Sequence, residues 1–193
     1  MSCSPGVRTA MVAFLTACLT SPAWSGELAG ITLPNQTTID DSTLVLNGMG
    51  LREATWLKIK VYVAGLYLEA ESADAGAILH AELPKRLVFV FLRPVGRTRM
   101  LKEWDECFKA NAQDDFAALQ ERLATLHAWM PDTVRTGDEM MLTYLPGKGV
   151  VVEIRGETRG TIPGADFARV LFGIWLGARP PNQTLKTGLL GRQ

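Results

Sequence analysis

The sequence predicts an α+β fold in which a mostly antiparallel sheet is covered by helices. Three observations carry that expectation. The longest β-prone run, residues 55–69, is rich in Val, Ile, Leu and Tyr. A meander follows later in the chain, where "DEMMLTYL", "VVVEIR" and "RGTIP" are separated by the turns "PGKG" and "GET". Helical patterns arrive in groups between the strands rather than alternating with them one for one.

Taken in order, "AGITLPNQTTIDDSTLVLNG" reads as short strands with turns at Pro34-Asn35 and Asp40-Asp41. After the 55–69 strand, "SADAGAILHAEL" predicts a short helix capped by Ser72. "KRLVFVFLRP" is a strand stopped by Pro94. A helix is expected over residues 98–111. A second starts near Asp114, with Phe116, Leu119, Leu123, Leu126 and Met130 stepping by threes and fours up to Pro131. Beyond the meander, "GADFARVLFGIWLG" carries Phe167, Val170, Leu171, Ile174 and Trp175 on one stripe and stops at Gly177. A last helix covers residues 183–190.

With 193 residues, 47% of them hydrophobic and 21% charged, the chain has the composition of one globular domain with a real core. Twenty basic residues balance twenty acidic ones, and no basic block interleaves with aromatics, so nucleic acid is excluded as a partner. The first 25 residues read as a cleaved secretory leader. Arg8 is the positive region, "TAMVAFLTACL" the apolar core, and "AWS" before Gly26 the small-residue cleavage site. That leaves residues 26–193 as the domain, in the periplasm or secreted. The apolar run is shorter than the roughly 20 residues a bilayer span needs, so no stable membrane span is expected. A lipoprotein tether through Cys18 in "LTAC" is the rival processing. Without the leader Cys107 stands alone, on an amphipathic helix, and reads as a buried inert thiol.

Several chemistries are missing. His80 and His127 have no carboxylate or cysteine at ligand spacing, so neither a metal nor any other cofactor is expected. Past the leader, Ser42 and Ser72 are the only serines, and neither lies in a nucleophile-elbow context. "GMGLRE" lacks the third glycine and the helix of a dinucleotide fingerprint.

The stretch "LNGMGLREATWLKIKVYVAGLYLE" places Arg52 ahead of a β-prone run that holds Tyr62. In one extended strand they would lie roughly 33 Å apart at about 3.3 Å per residue, so they share a site only if the chain reverses near Leu57. "EATWLKI" offers no Gly, Pro or Asn for that turn. If they meet, a guanidinium fork and a phenol donor suit a carboxylate, and Val61, Val63, Leu66 and strand 86–92 would wall an apolar pocket. The alternative is an Arg52 ion pair with an acid such as Glu53 or Glu69, with Tyr62 merely packing.

Together with "YLPGKGVVVEIRGETRGTIPGADFARVLFGIWLG" and "LKTGLLGR", that stretch resembles the chalcone isomerase superfamily, in its exported bacterial chalcone-isomerase-like branch. The resemblance covers about residues 28–191. It implies an open-faced β-sandwich, a large antiparallel sheet with a layer of helices on one face. The superfamily includes isomerases that cyclise chalcones to flavanones and non-catalytic fatty-acid-binding members. Against the isomerase pattern Arg52 matches the arginine. The strand threonine falls on Tyr62, the helix tyrosine and asparagine on Arg99 and Glu106, and the late hydroxyl on Gly173 or Ile174. The resemblance therefore implies an exported, non-catalytic binder of a fatty acid or similar hydrophobic carboxylate, its head group held by Arg52 and Tyr62. Arg99 and Glu106 would rim the pocket. A chalcone-isomerase-like intramolecular lyase and a structural or interaction protein of the envelope are the alternatives.

Overall fold

The computed structural model describes residues 25–112 and 115–192. The expected leader, with Cys3 and Cys18, lies outside the described residues except for Ser25, which opens the first strand. Strands β1 (Ser25–Leu28) and β2 (Ile31–Pro34) form a small hairpin. The main sheet has seven strands in the order β11-β10-β9-β6-β5-β4-β3, every neighbouring pair antiparallel. Its members are β3 (Gln36–Ile39), β4 (Ser42–Ala54), β5 (Ile59–Leu68), β6 (Lys85–Phe91), β9 (Glu139–Leu145), β10 (Gly149–Ile154) and β11 (Glu157–Ile162). A short ladder joins β7 (Val95–Gly96) to β8 (Thr133–Val134). The helices are α1 (Ala75–His80), α2 (Arg97–Ala112), α3 (Phe116–Trp129), α4 (Ala165–Leu176) and α5 (Gln183–Leu189).

Strand alternation sorts the apolar residues into two cores. On the helix side Tyr62, Ala64, Leu66 and Leu68 of β5 meet Leu87, Phe89 and Phe91 of β6 and the buried faces of the helices. On the opposite side Met49, Val63, Tyr67, Val88 and Val90 pack with Leu33, Ile39 and Leu44. The β1–β2 hairpin reaches this second face through Leu28, Ile31 and Leu33, so the face is open only in part. Helix α4 is buried along Phe167–Ala168 and throughout Val170–Leu176, not on one stripe as its spacing suggested. It runs through the middle of the helical layer, beside α1, α2 and α5.

Two local expectations are corrected, the cap of α1 and the start of the 55–69 strand, while the stop of α4 at Gly177 is met. Helix α1 is capped by Asp74, whose Oδ1 accepts from the Ala77 amide at 3.0 Å, while Ser72 Oγ accepts from the Asp74 amide at 3.2 Å. The acid sits at the N-cap and the serine two residues too early. Gly177 ends α4 with φ −73°, an ordinary backbone. Its missing Cβ matters for closeness instead, because a Cβ there would run into the Asn111 side chain of α2. The 55–69 strand begins at Ile59, because residues 55–58 form a tight turn closed by the Lys58 amide on the Thr55 carbonyl at 3.2 Å.

That turn is strained, with φ of +64° at Thr55 and +50° at Lys58. A β-branched residue in the left-handed region costs about 1–2 kcal/mol, more than the roughly 0.5–1 kcal/mol of chain entropy that glycine adds. Thr55→Gly is therefore expected to raise the urea midpoint slightly, by up to about 1 kcal/mol of unfolding free energy. A lower midpoint would show that the Thr55 side chain makes a compensating contact.

Two interruptions shape β4. Its register with β5 shifts between Leu46 and Gly48 and again between Arg52 and Glu53. At the first shift Asn47 turns inward. Its amide donates to the Leu189 carbonyl at 2.8 Å and the Ser72 carbonyl at 3.1 Å, and its Oδ1 accepts from the Ser72 amide at 2.7 Å. One buried side chain thus ties the strand, the loop before α1 and the end of α5 together. At the second shift Val61 is the extra residue on β5, directly beside the Arg52–Tyr62 pair.

Candidate functional site

The β4–β5 hairpin forms with the Thr55–Lys58 turn at its tip, and its register sets Arg52 directly opposite Tyr62. Residues opposite each other on antiparallel strands point to the same face, here the helix side. On that face β4 presents Gly48, Gly50 and then Arg52. The two glycines let α5 lie against the strand backbone, and Arg52 emerges past the end of α5 toward α2.

The two side chains meet different surroundings. The Arg52 guanidinium donates to Glu103 Oε2 at 3.1 Å and to the Glu53 carbonyl oxygen. Its side chain is only 12% exposed, against 40% for Glu103. Glu103 also meets Arg99 Nε at 3.6 Å, one helical turn earlier on α2. Arg52 thus has a carboxylate partner, but neither Glu53 nor Glu69 supplies it.

Tyr62 is buried among aromatic rings, with Phe89 and Phe91 edge-on at 5.4 and 5.7 Å between centroids. Its hydroxyl accepts from Trp175 Nε1 at 3.0 Å, and no acceptor for its own proton is present among the described residues. Burial raises the phenol far above its ordinary value of 10.0. The Trp175 bond and the nearby Arg52 charge work against that rise, and Glu103 and Cys107 add to it. Tyr62 is therefore a neutral O–H donor within electrostatic reach of the Arg52–Glu103 pair.

A cleft of about 330 Å³ opens beside Arg52, lined by Glu103, Glu106, Cys107 and Ala110 of α2 and by Arg179, Pro180 and Pro181 after α4. Its volume lies at the small end of the range for ligand pockets, about 300–1,000 Å³. Tyr62 does not line it, so the single greasy hollow expected for both groups is replaced by a cleft at Arg52 and a packed aromatic cluster around Tyr62. Val63, expected as a wall, faces the other core. A second cleft, of about 210 Å³, lies on the other side of Glu103, between Val61, Arg99 and the hairpin residues Ala54, Thr55 and Ile59. Glu106 lines the first cleft and Arg99 the second, so they border two hollows that share Glu103. Cys107 is half-buried on the first cleft, and burial pushes its thiol up, which keeps it a poor nucleophile. Among the described residues no group of three His, Cys, Asp or Glu is placed to hold a metal ion, and no helix is long and apolar enough to cross a membrane.

Sequence reasoning did not single out Glu103, Arg179 or the Trp175–Tyr62 bond. Glu103 was within reach of it, since it falls four after Arg99 and three before Glu106 on the same helix. Arg179 lies in a loop without periodicity, and Trp175 meets Tyr62 across 113 residues of chain.

The three tyrosines give the protein an alkaline signature. Burial raises Tyr62, and it pushes Tyr67 and Tyr144 up to about 12, the latter helped by its bond to Glu82. The folded chain then keeps phenol protons that the unfolded chain releases near pH 10. This contribution to stability is full below pH 10 and is lost as pH climbs above it. Phenolate absorbance is expected to appear together with loss of tertiary circular dichroism. A phenolate transition near pH 10 in the intact fold would refute the burial argument.

A seven-stranded antiparallel sheet roofed by a layer of helices sets the class of protein at the level of the fold. The chain belongs to the chalcone isomerase-like family, whose model matches residues 25–191. Among solved structures it is similar to the crystal structure of a fatty-acid binding protein from Arabidopsis thaliana. The TM-score is 0.67 at 18% identity, covering 86% of this chain and 96% of that one. A search of curated proteins by sequence finds no significant match.

Proposed function

We propose that the protein is an exported, non-catalytic binder of a fatty acid or a similar hydrophobic carboxylate, with Arg52 as the head-group cation. The observation that carries this reading is a nearly buried Arg52 guanidinium that borders a cleft with an apolar stretch of wall. Among the described residues it is held only by a half-exposed glutamate and a backbone carbonyl, with the neutral Tyr62 opposite it in the sheet register. Glu103 now accepts from the guanidinium at the point where a ligand carboxylate would sit. Being half-exposed and already bridged to Arg99, it has a second cation to turn to when a ligand enters. The cleft wall of Cys107, Ala110, Pro180 and Pro181 receives the first methylenes, each worth about 0.8 kcal/mol when buried. The family membership and the similarity to a fatty-acid binding protein support the same reading.

Turnover is not expected. The residues aligned with the isomerase donors do not converge. Arg99 and Glu106 line separate clefts, Gly173 lines a third hollow with Asn111 and Arg169, and Ile174 is fully buried. A tetrahedral or enolate oxygen would find no preorganised set of donors, and each missing donor costs roughly 10²–10³ in rate. Native mass spectrometry of the purified protein is expected to show a bound acid, and a fluorescent fatty acid should be displaced by unlabelled acids but not by the matching alcohols. Equal displacement by alcohols would remove Arg52 from the head-group role, and rapid loss of chalcone absorbance would replace binding with catalysis.

A further inference from the structure

The tip of the β4–β5 hairpin carries the two most exposed large apolar side chains among the described residues, Trp56 at 88% and Leu57 at 59% exposure. They occupy the centre of the strained turn, where Thr55 and Lys58 adopt left-handed backbone. Neither side chain packs into the core, and local backbone strain of this kind, held by the packing of the strands behind it, clusters at functional segments. Around the wedge stand cations. Lys58 and Lys60 are exposed on the hairpin itself, and Arg93 lines the cleft beside it. None of the three has an ion pair within 4 Å among the described residues. Glu53 stands opposite Lys60 in the hairpin register, Glu103 is committed to Arg52 and Arg99, and the three cations outnumber the one acid left at the tip.

The geometry points to this tip as a docking element for an anionic lipid surface. Two side chains at the apex of a hairpin are far too little for a stable protein interface, which takes about 800 Å² from each partner. They suffice for a bilayer, whose headgroup layer accepts a tryptophan and a leucine from a protruding wedge without a matching surface. The flanking cations complement negatively charged headgroups, and each one near such a surface raises partition about fivefold. This inference stands independently of whichever ligand the Arg52 cleft holds.

Vesicle sedimentation tests it, with phosphatidylcholine vesicles set against phosphatidylcholine–phosphatidylglycerol vesicles at low and high salt. The full chain is expected to sediment with the anionic vesicles and to be released by salt, with a blue shift in tryptophan emission. Of the five tryptophans Trp104 and Trp175 are buried, and Trp24 and Trp129 are the same in every variant, so the part of the shift lost on replacing Trp56 is the part that reports on the tip. Trp56→Ser combined with Leu57→Ser should lower partition by about tenfold or more and abolish the shift. Lys58→Glu combined with Lys60→Glu should lower it by a similar factor at low salt only. All four positions are exposed, and far-UV circular dichroism confirms that the variants fold. Every variant keeps the same N-terminal segment, so the differences belong to the tip. Equal sedimentation with neutral vesicles, or unchanged binding by the Trp56/Leu57 variant, would overturn the proposal. So would absence of vesicle binding alongside a concentration-dependent self-association that the same variant loses, which would assign the tip to a second copy of the chain.

Discussion

Gly48→Ala is expected to lower the unfolding free energy by about 3 kcal/mol, a loss an ordinary surface glycine would not show. The cause is the approach of α5 to β4. A Cβ at position 48 would run into the Gly188 carbonyl oxygen and lie 2.8 Å from the Gly191 nitrogen and 2.9 Å from the Leu189 oxygen. All three are backbone atoms, so no rotamer change relieves the clash. At Gly50 the obstacles are the Leu185 carbonyl oxygen and, at 2.8 Å, its side-chain Cδ1. The contact is reciprocal, since a Cβ on Gly188 would meet the Met49 carbonyl. To accommodate the methyl, α5 must lift, taking Leu185, Leu189 and Leu190 partly out of the core and breaking the Asn47 bond to the Leu189 carbonyl. Each buried leucine is worth about 1.5–3 kcal/mol, so even a partial lift reaches the expected loss. Gly96→Ala is the control, because nothing lies within 4 Å of its Cβ position and its φ is unremarkable. Urea midpoints of the two variants decide the matter. A Gly48→Ala protein as stable as Gly96→Ala would mean that α5 does not rest on the strand.

These glycines show where sequence reading stopped. "GMGLRE" lacks the third glycine and the following helix of a nucleotide fingerprint, and nothing else in the local sequence gives its glycines a role. Their partner is a helix some 140 residues later, and no local pattern announces it. The elements themselves were legible wherever periodicity was strong, as in β5, α3 and the β9–β11 meander. The turn that makes the site was not legible, because Thr55 and Lys58 take left-handed backbone that glycine or asparagine ordinarily announces. Tertiary packing on both faces of β4 and β5 outweighs the cost of the turn. Tyr62 and Arg52 could be named from sequence. Their register depended on that turn, and their partners Trp175 and Glu103 on the way two distant helices settle over the sheet.

Arg52→Ala and Glu103→Gln are expected to move fatty-acid affinity in opposite directions, and that opposition separates a ligand seat from a structural ion pair. Removing the guanidinium deletes the cation and leaves Glu103 facing the incoming carboxylate, so affinity should fall by about 100-fold, from a charge-assisted bond of roughly 1.5–3 kcal/mol plus added repulsion. Removing the Glu103 charge does the reverse. While Glu103 holds Arg52 at 3.1 Å, the binding-competent arrangement is only a fraction of the population, and apparent affinity is reduced by that fraction. Glu103→Gln weakens this competitor without changing its size, and affinity should rise by about tenfold, the equivalent of 1.4 kcal/mol. If instead the pair merely holds α2 against β4, both substitutions lower stability and neither changes affinity. The urea midpoint supplies that second readout. Under the ligand-seat reading Glu103→Gln costs only about 1 kcal/mol, because the glutamine oxygen still accepts from the nearly buried guanidinium and the Arg99 side chain loses only a solvated contact. The Arg52→Ala/Glu103→Gln double variant closes the cycle. A Glu103 that acts only through Arg52 can give no gain once the arginine is gone, apart from relief of its repulsion toward the ligand. Titration of the four proteins with one long-chain acid, measured alongside their midpoints, therefore assigns Arg52 either to the ligand or to the fold.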